Sequence, residues 1–268
     1  MRSARPPRSR GPAIVGWGVL LFLYLPIFVL AVFSFNAGRY TSHWEGWSLE
    51  WYRALFSGSD RQARSLSAPL DVSIRLALCA AGVAVVLSTL TALGLRGARR
   101  TVAIPLAALW ALPVILPDIV LGVSWRGAFE ALGLAPGFAT LLLAHGTLAT
   151  AFGLVVVQTR LSTLDRSLVE AARDLGATRV GAVRHVIVPH LYPALAAVVL
   201  LAITISFDDY MITLFLAPDT APTLPVRVGG LVTKGASPIL NALATVSLLG
   251  TFLVALIALR LVRPTTLS

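Results

Sequence analysis

The sequence predicts an all-α, polytopic membrane protein with six transmembrane helices, and three observations predict it. Hydrophobic residues fill 57% of the 268 positions and charged residues only 13%, with a mean hydropathy of +0.82. That is too apolar for the surface of a soluble domain. The apolar residues are gathered into runs of about 20, the length that crosses a hydrocarbon core. Polar stretches separate the runs, and arginines concentrate in alternate stretches. The single cysteine, Cys79, excludes a disulfide within the chain and any cysteine metal cluster.

Residues 1–11 hold four arginines and lead into an uncharged run at 12–35. This run reads as an uncleaved first span, because a secretory leader has a shorter apolar core and a small-residue cleavage site; a cleaved leader is the alternative. Residues 36–70 follow as a polar loop with Trp44, Trp47, Trp51 and Tyr52, suited to a headgroup-level belt or a partner contact. The five-helix core is expected over 71–262. Its first helix, the second span, covers 72–95 and ends in the basic turn Arg96, Arg99, Arg100. The third, 102–125, is broken by Pro105, Pro113 and Pro117, which suits a bundle-facing helix whose freed carbonyls find other partners. A short loop at 126–136 precedes the fourth span, 137–158. A polar segment at 160–190 separates it from the fifth, 194–216. A proline-rich loop at 217–238, the sixth span at 239–259 and a short tail at 263–268 complete the chain.

Six spans put both termini on one side. Of the 22 basic residues, 14 fall on that side, in the N-terminus, the Arg96 turn, the 160–190 segment and the C-terminus. The positive-inside rule then makes both termini and the 160–190 segment cytoplasmic and the 36–70 loop periplasmic. The net charge of +10 therefore expresses orientation and contact with membrane lipid, with no nucleic acid as partner.

Within 160–190, Leu164, Leu168, Ala172 and Leu175 recur at helical spacing, and Asp165 is placed to cap that helix. Gly176 stops it, since glycine takes a left-handed conformation without a Cβ penalty. Thr178 is the expected cap of a second short helix carrying Val180, Val183 and Ile187, ended by Pro189 and Pro193. Helix, tight turn and helix at a membrane surface read as a docking device.

Glu170-Ala171-Ala172, Gly176 after three further residues, and Val186-Ile187-Val188-Pro189 after nine more resemble the EAA loop of permease subunits from bacterial ATP-binding-cassette (ABC) importers. Val186 and Val188 replace the isoleucine and leucine usual there. The resemblance extends over about 69–261 and implies the type I ABC importer permease fold in the bacterial inner membrane. It also implies a homologous permease subunit, two copies of an ABC ATPase subunit and a periplasmic solute-binding protein as partners. In that family the EAA loop sits in a cleft of the ATPase, which makes Glu170, Ala171, Ala172, Gly176 and Pro189 the expected coupling residues. The one lysine, Lys234, is not in a phosphate-cradling loop. The chain is accordingly expected to be no enzyme and to hold no cofactor, with ATP and Mg bound by the partner ATPase.

A narrower resemblance rests on Ser206-Phe207-Asp208-Asp209-Tyr210, on Thr223-Leu224-Pro225-Val226-Arg227, and on the stretch from Gly235 to Thr245. These are similar to the second permease subunit of spermidine/putrescine importers, and the layout is also similar to permeases for opines, phosphonates and iron. Acids near the hydrocarbon are costly and should face the bundle interior, a water-filled path or a partner charge. Asp208, Asp209 and Tyr210 can line the path of a polyamine, or the acid pair can cap a kinked helix or meet an arginine of the partner permease. Asp118, at the Pro117 break, has the same two readings. His145 is expected to hydrogen-bond between helices, and His185 and His190 lie off one helical face, which argues against a metal pair. An ion-gradient-driven secondary transporter is the distant alternative. It should show inverted repeats and several paired intramembrane charges, neither of which is evident.

Overall fold

The computed structural model describes residues 11–40, 43–218, 220–233, 235 and 237–262. The arginines of the first ten residues, Lys234 and Arg263, which enter the orientation argument, lie outside them. Among the described residues twelve α-helices run in order: α1 (Gly11–Phe33), α2 (Glu50–Ser57), α3 (Arg61–Gly97), α4 (Arg100–Ile115), α5 (Asp118–Ala131), α6 (Phe138–Ser162), α7 (Arg166–Asp174), α8 (Arg179–Ala182), α9 (Val188–Asp208), α10 (Met211–Leu216), α11 (Leu224–Val232) and α12 (Pro238–Val262). Among the described residues the only β pairing is an isolated bridge between Asn36 and Trp47. Among the described residues five helical stretches are long and apolar enough to cross a membrane: α1, α3, α6, α8 through α9, and α12. The pair α4 and α5, bent by 112°, makes a sixth if counted as one span.

The chain divides into two compact units, one of residues up to 64 with 231–249, the other of 65–230 with 250 onward. In the first, no residue of the apolar window of α1 is buried, so that helix must meet lipid or another chain. The segment after α1 folds around buried Asn36. Its Nδ2 donates to the His43 carbonyl at 2.6 Å, its Oδ1 accepts from the Glu45 amide at 2.8 Å, and its carbonyl accepts from Trp51 Nε1 at 2.8 Å. Every polar group of this buried amide thus has a partner.

The second unit is built on α6, which packs against α4, α9 and α10. Small residues allow the close approach that membrane helices use in place of a hydrophobic drive. At Gly153 a Cβ would lie 2.9 Å from Val198 Cγ1 and 3.3 Å from the Ser88 side chain, so side chains of α3 and α9 rest directly on the α6 backbone there. One apolar cluster, with Leu154, Val157, Leu161, Leu164, Leu191 and Val198, ties α6 to the 160–190 segment and α9. Another, with Leu76, Leu121, Leu141, Leu148, Ile212 and Leu216, ties it to α3, α5 and α10.

Several sequence expectations are corrected. The 36–70 stretch is not all loop: α2 forms within it, and α3 starts at Arg61 because Asp60 accepts hydrogen bonds from the amides of Gln62 and Ala63. Of the three prolines in the third span, Pro105 and Pro113 lie inside α4 and only Pro117 breaks the helix. Leu116 adopts extended backbone, as the crowding of a pre-proline residue demands, and Pro117 is extended after it. The helix then resumes as α5 to Ala131, through most of the expected 126–136 loop. Pro189 and Pro193 do not end a short helix. A π-helical turn over Val183–Ile187 absorbs the missing amide of Pro189, and α8 continues into α9. The fifth span is interrupted at Asp209 and Tyr210, and the 217–238 loop contains α11.

Candidate functional site

The residues singled out by the sequence fall at two places. The first is the turn between α7 and α8. Asp165 caps α7 by accepting a hydrogen bond from the Ser167 amide at 2.9 Å, which holds its carboxyl below the usual carboxylate range. Gly176 has φ +88°, a left-handed value that a side chain rarely adopts. Thr178 Oγ1 accepts from the Gly181 amide at 3.0 Å and caps α8. At the base of the segment, Arg160 Nε donates to the His190 carbonyl at 3.0 Å, clasping the end of α6 to the start of α9.

What this framework presents is unusual. Leu164 is buried, as its place in the helical stripe suggests, but Leu168 is exposed, Leu175 is 89% exposed and Val180 is 76% exposed. Glu170, Ala171, Gly176 and Pro189 are exposed beside them, and Ala172 is half-buried. Of the apolar stripe Leu164 is buried, Ala172 half-buried, and Leu168 and Leu175 face outward, on a segment held by its own cap hydrogen bonds.

The second place is the break between α9 and α10, and here the adjacent acids separate. The Asp209 side chain is 7% exposed. Its Oδ2 accepts from the Thr213 amide and from the Thr213 hydroxyl, both at 2.8 Å, and its Oδ1 accepts from the Ile212 amide at 3.3 Å. From one residue before the N-cap position, Tyr210, it thus caps the first turn of α10. His145, from the middle of α6, reaches Ser206 Oγ through Nδ1 at 2.9 Å and Thr213 Oγ1 through Nε2 at 3.1 Å. Because the Thr213 hydroxyl hydrogen goes to Asp209, Thr213 accepts from His145 Nε2–H, and Ser206, His145, Thr213 and Asp209 are joined in one buried chain of hydrogen bonds.

Asp208, by contrast, is exposed and makes no hydrogen bond or ion pair among the described residues. Tyr210 turns its ring over Gly229 of α11, where a Cβ would lie 2.7 Å from the ring. Asp118 is the exposed first residue of α5 and is not brought into the buried cluster. The partners Ser206 and Thr213 were not anticipated. Thr213 follows Asp209 at a one-turn spacing, but nothing in the sequence distinguishes which of two neighbouring acids faces inward. Also unanticipated is Gly122 of α5, where a Cβ would lie 2.7 Å from Phe215 and 3.2 Å from the Met211 carbonyl oxygen, so that α10 lies directly on α5.

Helices long and apolar enough to cross a membrane, with a bent pair, a buried polar break and an exposed helix–turn–helix, describe a polytopic membrane protein. The profile of the family described as "Binding-protein-dependent transport system inner membrane component" matches residues 3–265, and the chain belongs to that family. It is thus an inner-membrane permease subunit of an ABC importer, a transport component rather than a catalytic one. Among individual relatives, it is 38% identical over 234 residues to the putrescine transport system permease protein PotI of Escherichia coli (strain K12), covering 85% of this chain and 82% of that protein. It is 36% identical over 228 residues to the spermidine/putrescine transport system permease protein PotC of Haemophilus influenzae, covering 85% and 87%. A chain of a bacterial ABC transporter involved in import of the acidic polysaccharide alginate superposes with TM-score 0.67 at 17% identity, covering 96% of this chain and 99% of that one, a likeness of fold.

Proposed function

We propose that this subunit forms half of the translocation path of an ATP-driven polyamine importer and is coupled to ATPase subunits through the 160–190 segment. The observation that carries the coupling is the exposure of three apolar side chains, Leu168, Leu175 and Val180, on the same helix–turn–helix that carries exposed Glu170. Exposed apolar surface on a segment fixed by its own caps is surface kept for a partner. Glu170 supplies a charged contact, and Gly176 sets the angle between α7 and α8. ATP and Mg are held by two copies of the partner ATPase, a homologous permease completes the path, and a periplasmic binding protein delivers the solute. The basic Arg96 turn and the five arginines of the 160–190 segment support a cytoplasmic placement of that segment and of both termini.

The polyamine assignment is supported by the putrescine and spermidine relatives and by Asp208, an exposed acid with no partner among the described residues at the end of a spanning helix. A carboxylate there lowers the barrier to a chain of ammonium groups. Asp209 is committed to α10 and is not available for that role. The test is ATP hydrolysis by the reconstituted complex with putrescine and the binding protein supplied together or singly. Stimulation requiring both is expected. An ATPase that ignores polyamines would remove the substrate assignment, and full uptake by Glu170→Ala or Gly176→Pro would remove the coupling role.

A further inference from the structure

A cleft of about 540 Å³ opens where the ends of α3 and α6 meet the starts of α4 and α7. Its polar lining is Arg96, Arg166, Gln158 and Ser162, and its apolar wall includes Leu95 and Ile104. None of the lining residues is acidic. Arg96 Nη1 is buried with no acceptor among the described residues. A guanidinium nitrogen withdrawn from water without an acceptor is costly, and a charged acceptor is its strongest complement. Asp165, next to Arg166, is occupied as the cap of α7.

We propose that this cleft binds the phosphate of an anionic phospholipid headgroup, held by Arg96 and Arg166. Two guanidinium groups and two neutral polar side chains complement a phosphodiester monoanion in the sign of charge and in hydrogen-bonding capacity. The position favours lipid over a soluble anion. Arg96 lies at the last turn of a spanning helix, and Leu95 borders both this cleft and an adjoining apolar groove of about 480 Å³ lined by Leu90, Leu106 and Trp110. A phosphate in the first and acyl carbons along the second fit one amphiphile, and basic pockets between spanning helices suit such headgroups. Because α7 contributes Arg166, lipid in the cleft would brace the segment assigned above to ATPase coupling. The binding itself does not depend on that assignment.

The test is to reconstitute the complex in phosphatidylcholine vesicles with and without phosphatidylglycerol, re-extract it, and count each lipid retained per complex by mass spectrometry. Selective retention of phosphatidylglycerol is expected, reduced at least about tenfold by Arg96→Gln with Arg166→Gln, the loss of two charge-assisted contacts. Arg96→Lys should retain more than Arg96→Gln. Arg166→Gln alone, at an exposed position, should lower retention severalfold even where the double variant fails to assemble. Equal retention in these variants, or of phosphatidylcholine and phosphatidylglycerol, would overturn the proposal. Displacement by millimolar inorganic phosphate would assign the cleft to a free anion instead of lipid. Loss of the ATPase subunit from Arg96→Gln with lipid retention unchanged would make the acceptor a partner carboxylate, which also overturns it.

Discussion

Asp165 and Asp209 perform the same local task in opposite surroundings. Each carboxylate caps the N-terminus of a short helix, Asp165 for α7 and Asp209 for α10. Asp165 does so in the open, where water can replace it, on a segment that turns Leu175 and Val180 outward. Asp209 does so with its side chain 7% exposed, where His145 and Thr213 depend on it as well. The same hydrogen-bonding device therefore fixes a docking surface in one place and a helix break inside the bundle in the other. Its energetic weight follows from the medium, since an orphaned donor costs most where no water can reach it.

The largest consequence is expected at the buried cap. Asp209→Ala leaves the Thr213 amide and hydroxyl without their acceptor, and at about 1–3 kcal/mol per unsatisfied buried group the complex should unfold at clearly lower temperature in detergent. Asp209→Asn, which keeps an acceptor oxygen, should lose less. If both variants melt like the parent, the contrast with Asp165 is broken. Next is Gly122→Leu, which must displace α10 from α5 because the first added carbon already meets the Met211 carbonyl oxygen and the Ile212 Cα. Overpacking of this kind costs about 1–3 kcal/mol, measurable as a lower melting temperature of the purified complex.

The exposed surface should behave differently. Leu175→Ser removes no buried contact, so its effect on stability should stay within about 0.5 kcal/mol, while less ATPase subunit co-purifies. A large loss of thermal stability would show that Leu175 is buried within the subunit. Smallest in stability is Asp208→Asn, expected to leave melting unchanged and to slow putrescine uptake without weakening capture by the binding protein. Unchanged uptake would leave the polyamine assignment without a residue to carry it.

The helix–turn–helix was legible because its signals are local: Asp165, Gly176 and Thr178 occupy the cap and turn positions that their chemistry favours. The five long apolar helices, and the bent pair α4 and α5 that makes a sixth span if counted as one, were legible from apolar length alone. Their interruptions were not, because a proline in a membrane helix ends it only when no neighbour repairs the ladder. Pro113 lies within α4 and Pro117 ends it, and a π-helical turn carries the chain past Pro189. The inward acid was equally hidden, since choosing Asp209 over Asp208 depends on His145, more than sixty residues away. The direction of Leu175 could not be read from the sequence, because periodicity marks an apolar face without saying what covers it.

The most direct measurement is cross-linking from Leu175→Cys in a Cys79→Ser background, with the complex in vesicles and the ATPase cycle held with and without nucleotide. The account predicts a covalent adduct between this position and the ATPase subunit whose yield changes with nucleotide. Failure to form that adduct in a complex that still hydrolyses ATP would contradict it.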